Sequence, residues 1–223
     1  MKLKRFKKEL TVLSFLLVLL SAGIFLSADY TVTIRTPNNS IVPDTWVRNE
    51  LTTTEISNSH SYVATHHPNA QRLSTATRKY NCHAYAWRVT EGGSQVWIGL
   101  NSSSAEDVYW TDCSFVEVSM ATNTKVRYSG NHSAIKASES GKYISKWGAG
   151  PIMEHTATDV PSGYGSPYKY YARFNPSISG TTTLCSTSNR TYTLNGVPTG
   201  PSITWSRSSN LVYVSGQGTK YYR

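Results

Sequence analysis

Asn81-Cys82-His83-Ala84-Tyr85-Ala86-Trp87-Arg88-Val89 is the stretch on which the reading of this 223-residue chain turns. Ala84, Trp87 and Arg88 stand at i, i+3 and i+4, the spacing of a short helix with one apolar face. Asn81 is of the type that caps a helix N-terminus, and Gly92-Gly93 brings the run to a stop. Cys82 therefore falls in the first turn, where unpaired backbone N–H groups and the helix dipole favour a thiolate. His83, the next residue, points about 100° away around the helix. That places it on the surface or on a pocket wall.

Downstream the period changes from helix to strand. Phe115–Val118, Thr124–Tyr128, His132–Ala137 and Lys142–Lys146 read as strands. Gly130-Asn131 and Ser138-Glu-Ser-Gly141 supply tight turns between them. His132 opens one strand, and Tyr143-Ile-Ser-Lys-Trp147 would lie beside it. The order is thus a Cys at a helix start, a His on a later strand, then polar residues on the next one. Cys–His acyl-transfer chemistry needs that arrangement, because the thiolate attacks and a histidine handles its proton. Upstream, residues 29–60 read as an extended lead-in, with Tyr30–Arg35 alternating like a strand. Residues 148–170 read as a loop rich in Gly, Pro and Tyr.

The ends of the chain carry different signals. Lys2, Lys4, Arg5, Lys7 and Lys8 precede an uncharged apolar run, Leu10–Ala28, which is the order of a secretory signal. An uncleaved N-terminal anchor is the alternative use of that run. Either way the chain is expected to be exported: periplasmic, cell-surface or secreted. Removing the leader takes away +4 of the formal +9 net charge, leaving a mildly basic remainder with scattered charges. No nucleic-acid partner is expected from that pattern, and a membrane enters only through the N-terminal segment if it stays attached. Three cysteines leave at least one thiol unpaired in an oxidising compartment. Cys113 and Cys185 are the residues left to form a bridge if Cys82 stays free. From Ile178 onward strand-like pieces alternate with turns, Tyr192–Leu194, Ser202–Trp205 and Leu211–Val214 among them. They read as the first strands of an immunoglobulin-like sandwich, at about half the usual length of such a domain.

Several motifs together resemble the papain-like group that includes the NlpC-type and CHAP-type cell-wall peptidases and amidases. More closely, they resemble an uncharacterised bacterial family related to these. The residues are Asn81-Cys82-His83-Ala84-Tyr85-Ala86-Trp87, Tyr109-Trp110, His132-Ser133-Ala134, Ser145-Lys146-Trp147-Gly148 and Glu154-His155, and the likeness covers about residues 66–170. It implies Cys82 as nucleophile and His132 as general base. The third position of such sites falls here on Ser145 or Lys146, neither an ordinary orienter of imidazole. His155 is favoured in its place, with Glu154 a further candidate. The segment after Pro176 is similar to Ig-like modules on exported proteins of Bacteroides-type bacteria.

The expected class is therefore α+β. A papain-like domain, a Cys-bearing helix packed on an antiparallel sheet, is followed by a partial all-β Ig-like sandwich. The divisions are 1–28 for the signal or anchor, 29–65 for the lead-in, 66–174 for the hydrolase-like domain and 176–223 for the Ig-like module. Trp87, Tyr109, Trp110 and Trp147 are candidates for the walls of a substrate groove, core packing being the commoner use of such rings. His66-His67 lacks a second ligand pair at metal spacing, so no metal and no cofactor is expected. The expected activity is cleavage of amide bonds in peptide or peptidoglycan material, with a surface or cell-wall partner for the Ig-like module. The rivals are a non-catalytic binding protein on the same fold and an acyl transfer other than hydrolysis.

Overall fold

The structure is a computed structural model that describes residues 28–121, 123–181, 189–197, 203–206, 209, 214–219 and 221–222. Residues 1–27, most of the segment read as a signal or anchor, lie outside them, as do Cys185, Ser202 and Leu211–Tyr213, whereas Ile203–Trp205, expected in a strand, are not in one. The class is α+β. Among the described residues no helix is long and apolar enough to cross a membrane.

A seven-stranded antiparallel sheet organises the middle of the chain, in the order β5-β11-β10-β9-β8-β12-β7. Its strands are β5 (Gln71–Arg72), β7 (Phe115–Glu117), β8 (Lys125–Tyr128), β9 (Ser133–Lys136), β10 (Lys142–Lys146), β11 (Ile152–Thr156) and β12 (Pro167–Arg173). The four strands read from the sequence are present at β7 to β10. The residues read as a loop, 148–170, instead contain β11 and the first part of β12. Tyr-rich runs are compatible with either state, and pairing with β10 and β8 settles them as strands.

The N-terminal lead-in is not extended throughout. It forms β1 (Tyr30–Thr31), β2 (Ile34–Arg35), β3 (Ile41–Val42) and β4 (Thr45–Val47), and then a 14-residue helix, α1 (Thr53–His66). Thr52 caps this helix by accepting a bond from the Glu55 amide, and the Glu55 side chain reaches back to the Thr52 amide. That reciprocal pair is a capping box, and it outweighs the poor helix propensity of the threonines. The strand β4 pairs with both β1 and β6 (Trp97–Ile98). Ile34 and Val42 sink into the same core as Tyr80, Trp87 and Phe115.

The Cys-bearing helix α2 (Cys82–Trp87) packs on β9 and β10. Cross-strand register divides the sheet residues between two faces. Ser133, Ile135, Lys146 and Ile152 share the face toward α2, because paired residues point the same way. Val126, Ala134, Tyr143, Ser145, Met153 and His155 share the other. Trp87 centres the core on the α2 face, with ring centroids 5.2 to 6.1 Å from Tyr109, Trp110, Phe115 and Tyr171. Tyr109 and Trp110 come from the short helix α3 (Val108–Thr111). At the C-terminal end β13 (Ser177–Ser179), β14 (Tyr192–Asn195) and β15 (Tyr221–Tyr222) form an antiparallel three-stranded sheet.

Candidate active site

Asn81 fixes where α2 begins. Its Oδ1 accepts from the amides of Ala84, 3.1 Å, and Ile98, 3.3 Å, while its Nδ2 donates to the Ile98 carbonyl at 2.6 Å. One side chain thus caps the helix and ties it to β6. Cys82, the first helical residue, is a free thiol with 5% of its surface exposed. Burial raises its pKa, but the charges and hydrogen bonds of His83 and His132 overcome this and hold the thiol well below its usual range.

The two histidines stand in different surroundings. His83 is 2% exposed, so of the two places its helical direction offered, the surface and a pocket wall, the surface is ruled out. The sheet covers that side of α2, so the residue after Cys82 points into protein. Its Nε2 lies 2.8 Å from Asn131 Oδ1 and its Nδ1 2.9 Å from Ser133 Oγ, with Glu106 Oε1 at 3.4 Å. Burial alone would lower the His83 pKa, but Cys82, Glu106 and Asn131 push it up to about 9. Glu106 is raised by its own burial and drawn back down by His83.

His132 is 1% exposed, and neither of its ring nitrogens has an oxygen or nitrogen partner among the described residues, the Cys82 sulfur being the group it can hydrogen-bond. Tyr164 stacks on it with centroids 3.8 Å apart and planes 13° apart, and Tyr128 meets it edge-on at 5.0 Å. Burial pushes the imidazole pKa down, and the negative charge of Cys82 pushes it back up. Tyr164 reaches this place because Gly130 lets two backbones meet. A Cβ there would stand 2.1 Å from the Gly163 carbonyl oxygen, and the Gly130 amide donates to the Tyr164 carbonyl at 3.1 Å.

The candidates for the third position separate by register. Lys146 is on the α2 face, fully buried, and donates to the carbonyls of Thr77 at 2.8 Å, Gly148 at 2.7 Å and Gly150. Burial pushes its pKa down to about 7, with Cys82 and Glu50 acting in the opposite direction. Three carbonyl acceptors, however, match the three N–H donors that only an ammonium possesses. Lys146 therefore stands as a structural cation within electrostatic reach of Cys82.

Ser145 and His155 lie on the opposite face and satisfy each other. Trp147 Nε1 donates to Ser145 Oγ at 3.0 Å, the Ser145 hydroxyl meets His155 Nε2 at 2.7 Å, and His155 Nδ1 donates to the Thr156 carbonyl at 2.8 Å. Both nitrogens of His155 are thereby occupied, and it does not hydrogen-bond His132. Glu154 pairs with Lys142 at 3.5 Å instead of entering the site. None of the four thus orients the His132 ring by a hydrogen bond.

Burial pushes His155 down to about 4, and this gives a prediction. An unfolded histidine takes up its proton near 6.5, but folded His155 does so only near 4. Its contribution to stability is therefore present above 6.5 and is lost as pH falls through about 4. The loss is on the order of 3 kcal/mol. Denaturant titrations at a series of acidic pH values should show that slope. It should be shallower in His155→Gln than in the wild type.

The groove expected from the aromatics is not formed by them. Trp87, Tyr109 and Trp147 are at most 5% exposed. Trp110 is half-buried between Tyr171 and Arg127, whose guanidinium lies 5.0 Å above the ring. They pack the interior because so much aromatic area is worth more buried than exposed. Sequence reasoning missed Glu106, Asn131, Ser133 and Tyr164. Ser133 sits inside the His132-Ser133-Ala134 motif, and Gly163-Tyr164-Gly165 was a signal for a tyrosine held on a tight turn. Glu106 had no local signal at all.

Cys113 is exposed and forms no bridge among the described residues, and its proposed pairing with Cys185 lies outside them. His66 and His67 diverge, the first to the Tyr62 carbonyl at 3.0 Å and the second to Asp159 at 2.7 Å. No group of three or more metal-ligating side chains forms among the described residues. No curated protein and no solved structure matches the chain. Residues 71–172, which run from β5 into β12 and contain Cys82, His83 and His132, match the family model described as a domain of unknown function, DUF7689.

Proposed function

We propose that the chain is an exported papain-like cysteine hydrolase that cleaves amide bonds in peptide or peptidoglycan material, with Cys82 as nucleophile and His132 as its base. The observation that carries this reading is the state of His132. A buried histidine with a structural role finds partners for its nitrogens, as His155 does; an unpartnered one calls for an explanation. Neither nitrogen of His132 has an oxygen or nitrogen partner among the described residues, and the group it can hydrogen-bond is a buried free thiol at a helix start.

In the proposed reaction the Cys82 S–H proton passes to His132 as sulfur bonds to the amide carbon. The carbonyl electrons move onto oxygen, and N–H groups of the first turn of α2 stabilise that oxyanion. Collapse breaks the C–N bond, and His132 returns the proton to the leaving amine. Water then attacks the thioester, gives a proton to His132, and releases the carboxylic acid as the thiol reforms. The substrate class rests on the papain-like resemblance, and the reading of the β13–β14–β15 sheet as part of an Ig-like module that binds a surface or cell-wall partner rests on the separate likeness of residues 176–223 to such modules.

One observation favours the rival, a binding protein without turnover. Tyr164 covers His132, and the reacting atoms are almost wholly buried. The two readings separate on incubation of the purified protein with peptide amides and peptidoglycan fragments, followed by mass spectrometry. The hydrolase yields matched carboxyl and amine products. Cys82→Ser removes them, and His132→Ala slows their release by about 10² to 10⁴. No products, together with a Cys82 thiol that ionises like a free one near about 8.5, would leave the binding reading in place.

A further inference from the structure

Two histidines flank one thiol, and their partners differ in kind. His83 has an acceptor facing each nitrogen: Asn131 Oδ1 at Nε2 and Glu106 Oε1 at Nδ1, with the Ser133 hydroxyl also against Nδ1. An imidazolium donates from both nitrogens, so this environment is built for the charged ring. Trp87 Nε1 also donates to Ser133 Oγ, at 2.9 Å, which fixes the hydroxyl between the two rings. Glu106 is 2% exposed, and its Oε2 has no partner among the described residues. A carboxylate buried this deeply needs a counter-charge, and the His83 ring is the cationic group within 4 Å of it. His132 lies between the face of one phenol ring and the edge of another, with no oxygen or nitrogen to accept an N–H and the Cys82 sulfur to share a proton with. Its setting suits the neutral ring.

We propose that Glu106 and His83 are positioning residues: a buried carboxylate–imidazolium pair that keeps a fixed positive charge beside Cys82 and leaves His132 neutral to take the thiol proton. The proton on His83 is the one that Glu106 gives up. The carboxyl O–H breaks, the imidazole N–H forms, and no further reactant is needed. This division rests on the reading of Cys82 as the reacting group. Four charged or titratable groups act on the thiol: His83 from α2 itself, His132 from the turn before β9, Lys146 from β10 and Tyr164 from the loop before β12. Glu106, ahead of α3, is a fifth: its carboxylate repels the thiolate directly, and it favours the thiolate through the positive charge it holds on His83.

Ionisation of Cys82 in the purified protein tests the proposal. The thiolate absorbance of the wild type, less that of Cys82→Ser, gives a titration midpoint that does not depend on reagent access. Glu106→Gln should raise this midpoint by about one unit, which is tenfold less thiolate at a fixed pH on the slope. His83→Gln should raise it further, and His132→Gln less than either. A midpoint that His132→Gln moves most, with Glu106→Gln and His83→Gln leaving it in place, would overturn the assignment. Nitrogen NMR of the wild-type imidazoles decides the matter even where a variant fails to fold. His83 should show both nitrogens protonated until pH approaches about 9, with one bare nitrogen on His132. A neutral His83 ring in neutral buffer would sink the proposal. Neither readout requires turnover, so a chain that cleaves nothing still confirms or overturns the charge assignment.

Discussion

Trp87→Ala is expected to cost about 4 kcal/mol of folding stability, the range for removing a large aromatic from a packed core. Trp87 is 1% exposed and touches four other rings, Tyr109, Trp110, Phe115 and Tyr171, contributed by α3, β7 and β12. α3, β7 and β12 also pack on one another, and the indole is the side chain by which α2 joins that cluster. Its loss also frees Ser133 Oγ, which the indole N–H holds in place for His83. Chemical denaturation should therefore show a large drop in midpoint. The Cys82 titration should shift upward in whatever fraction remains folded. A stable variant with an unchanged midpoint would mean that the core does not depend on this ring.

Lys146→Met is the second large effect. Methionine fills much the same space but donates no hydrogen bond. The carbonyls of Thr77, Gly148 and Gly150 then lose the ammonium that gathers them. A buried acceptor stripped of its partner costs about 1 to 3 kcal/mol, so three partly shared losses sum to roughly 4 kcal/mol. The same substitution removes a cation near Cys82, and its thiol should ionise at higher pH. Lys146→Arg separates charge from shape: it keeps the cation but does not fit a site shaped for three convergent bonds. Denaturation midpoints and the Cys82 titration, measured on both variants, give the two contributions. Were Lys146→Met as stable as the wild type, the three-carbonyl cage would not be a structural tie.

Local signals carried much of this fold. Asn81 announced the start of α2, because an N-cap acts on amides only two or three residues away. The alternation in Lys125–Tyr128, Ser133–Lys136 and Lys142–Lys146 announced three central strands for the same reason. Cys82 and His132 were legible as a pair because the thiol required a base and the turn at Gly130-Asn131 set one at a strand start. The helix Thr53–His66 was written in its capping box, Thr52 to Glu55, though the β-branched composition hid it. The strands Ile152–Thr156 and Pro167–Arg173 were hidden in turn-rich sequence, since their state is set by partners far along the chain.

The chain alone determined the short-range facts: where α2 begins, which residues alternate, and that Cys82 would sit at a helix start. Only the tertiary structure decided which charges surround that thiol. Register put Lys146 on the α2 face and sent Ser145 and His155 to the other, and a one-residue difference in position is all that separates the two outcomes. Packing turned His83 inward, because the sheet covers the side of the helix that a free helix would leave in water. It also brought Glu106, more than twenty residues away in sequence, to 3.4 Å from His83. Hydrogen bonds and charges act across a few ångströms of space, and the sequence records distance along the chain.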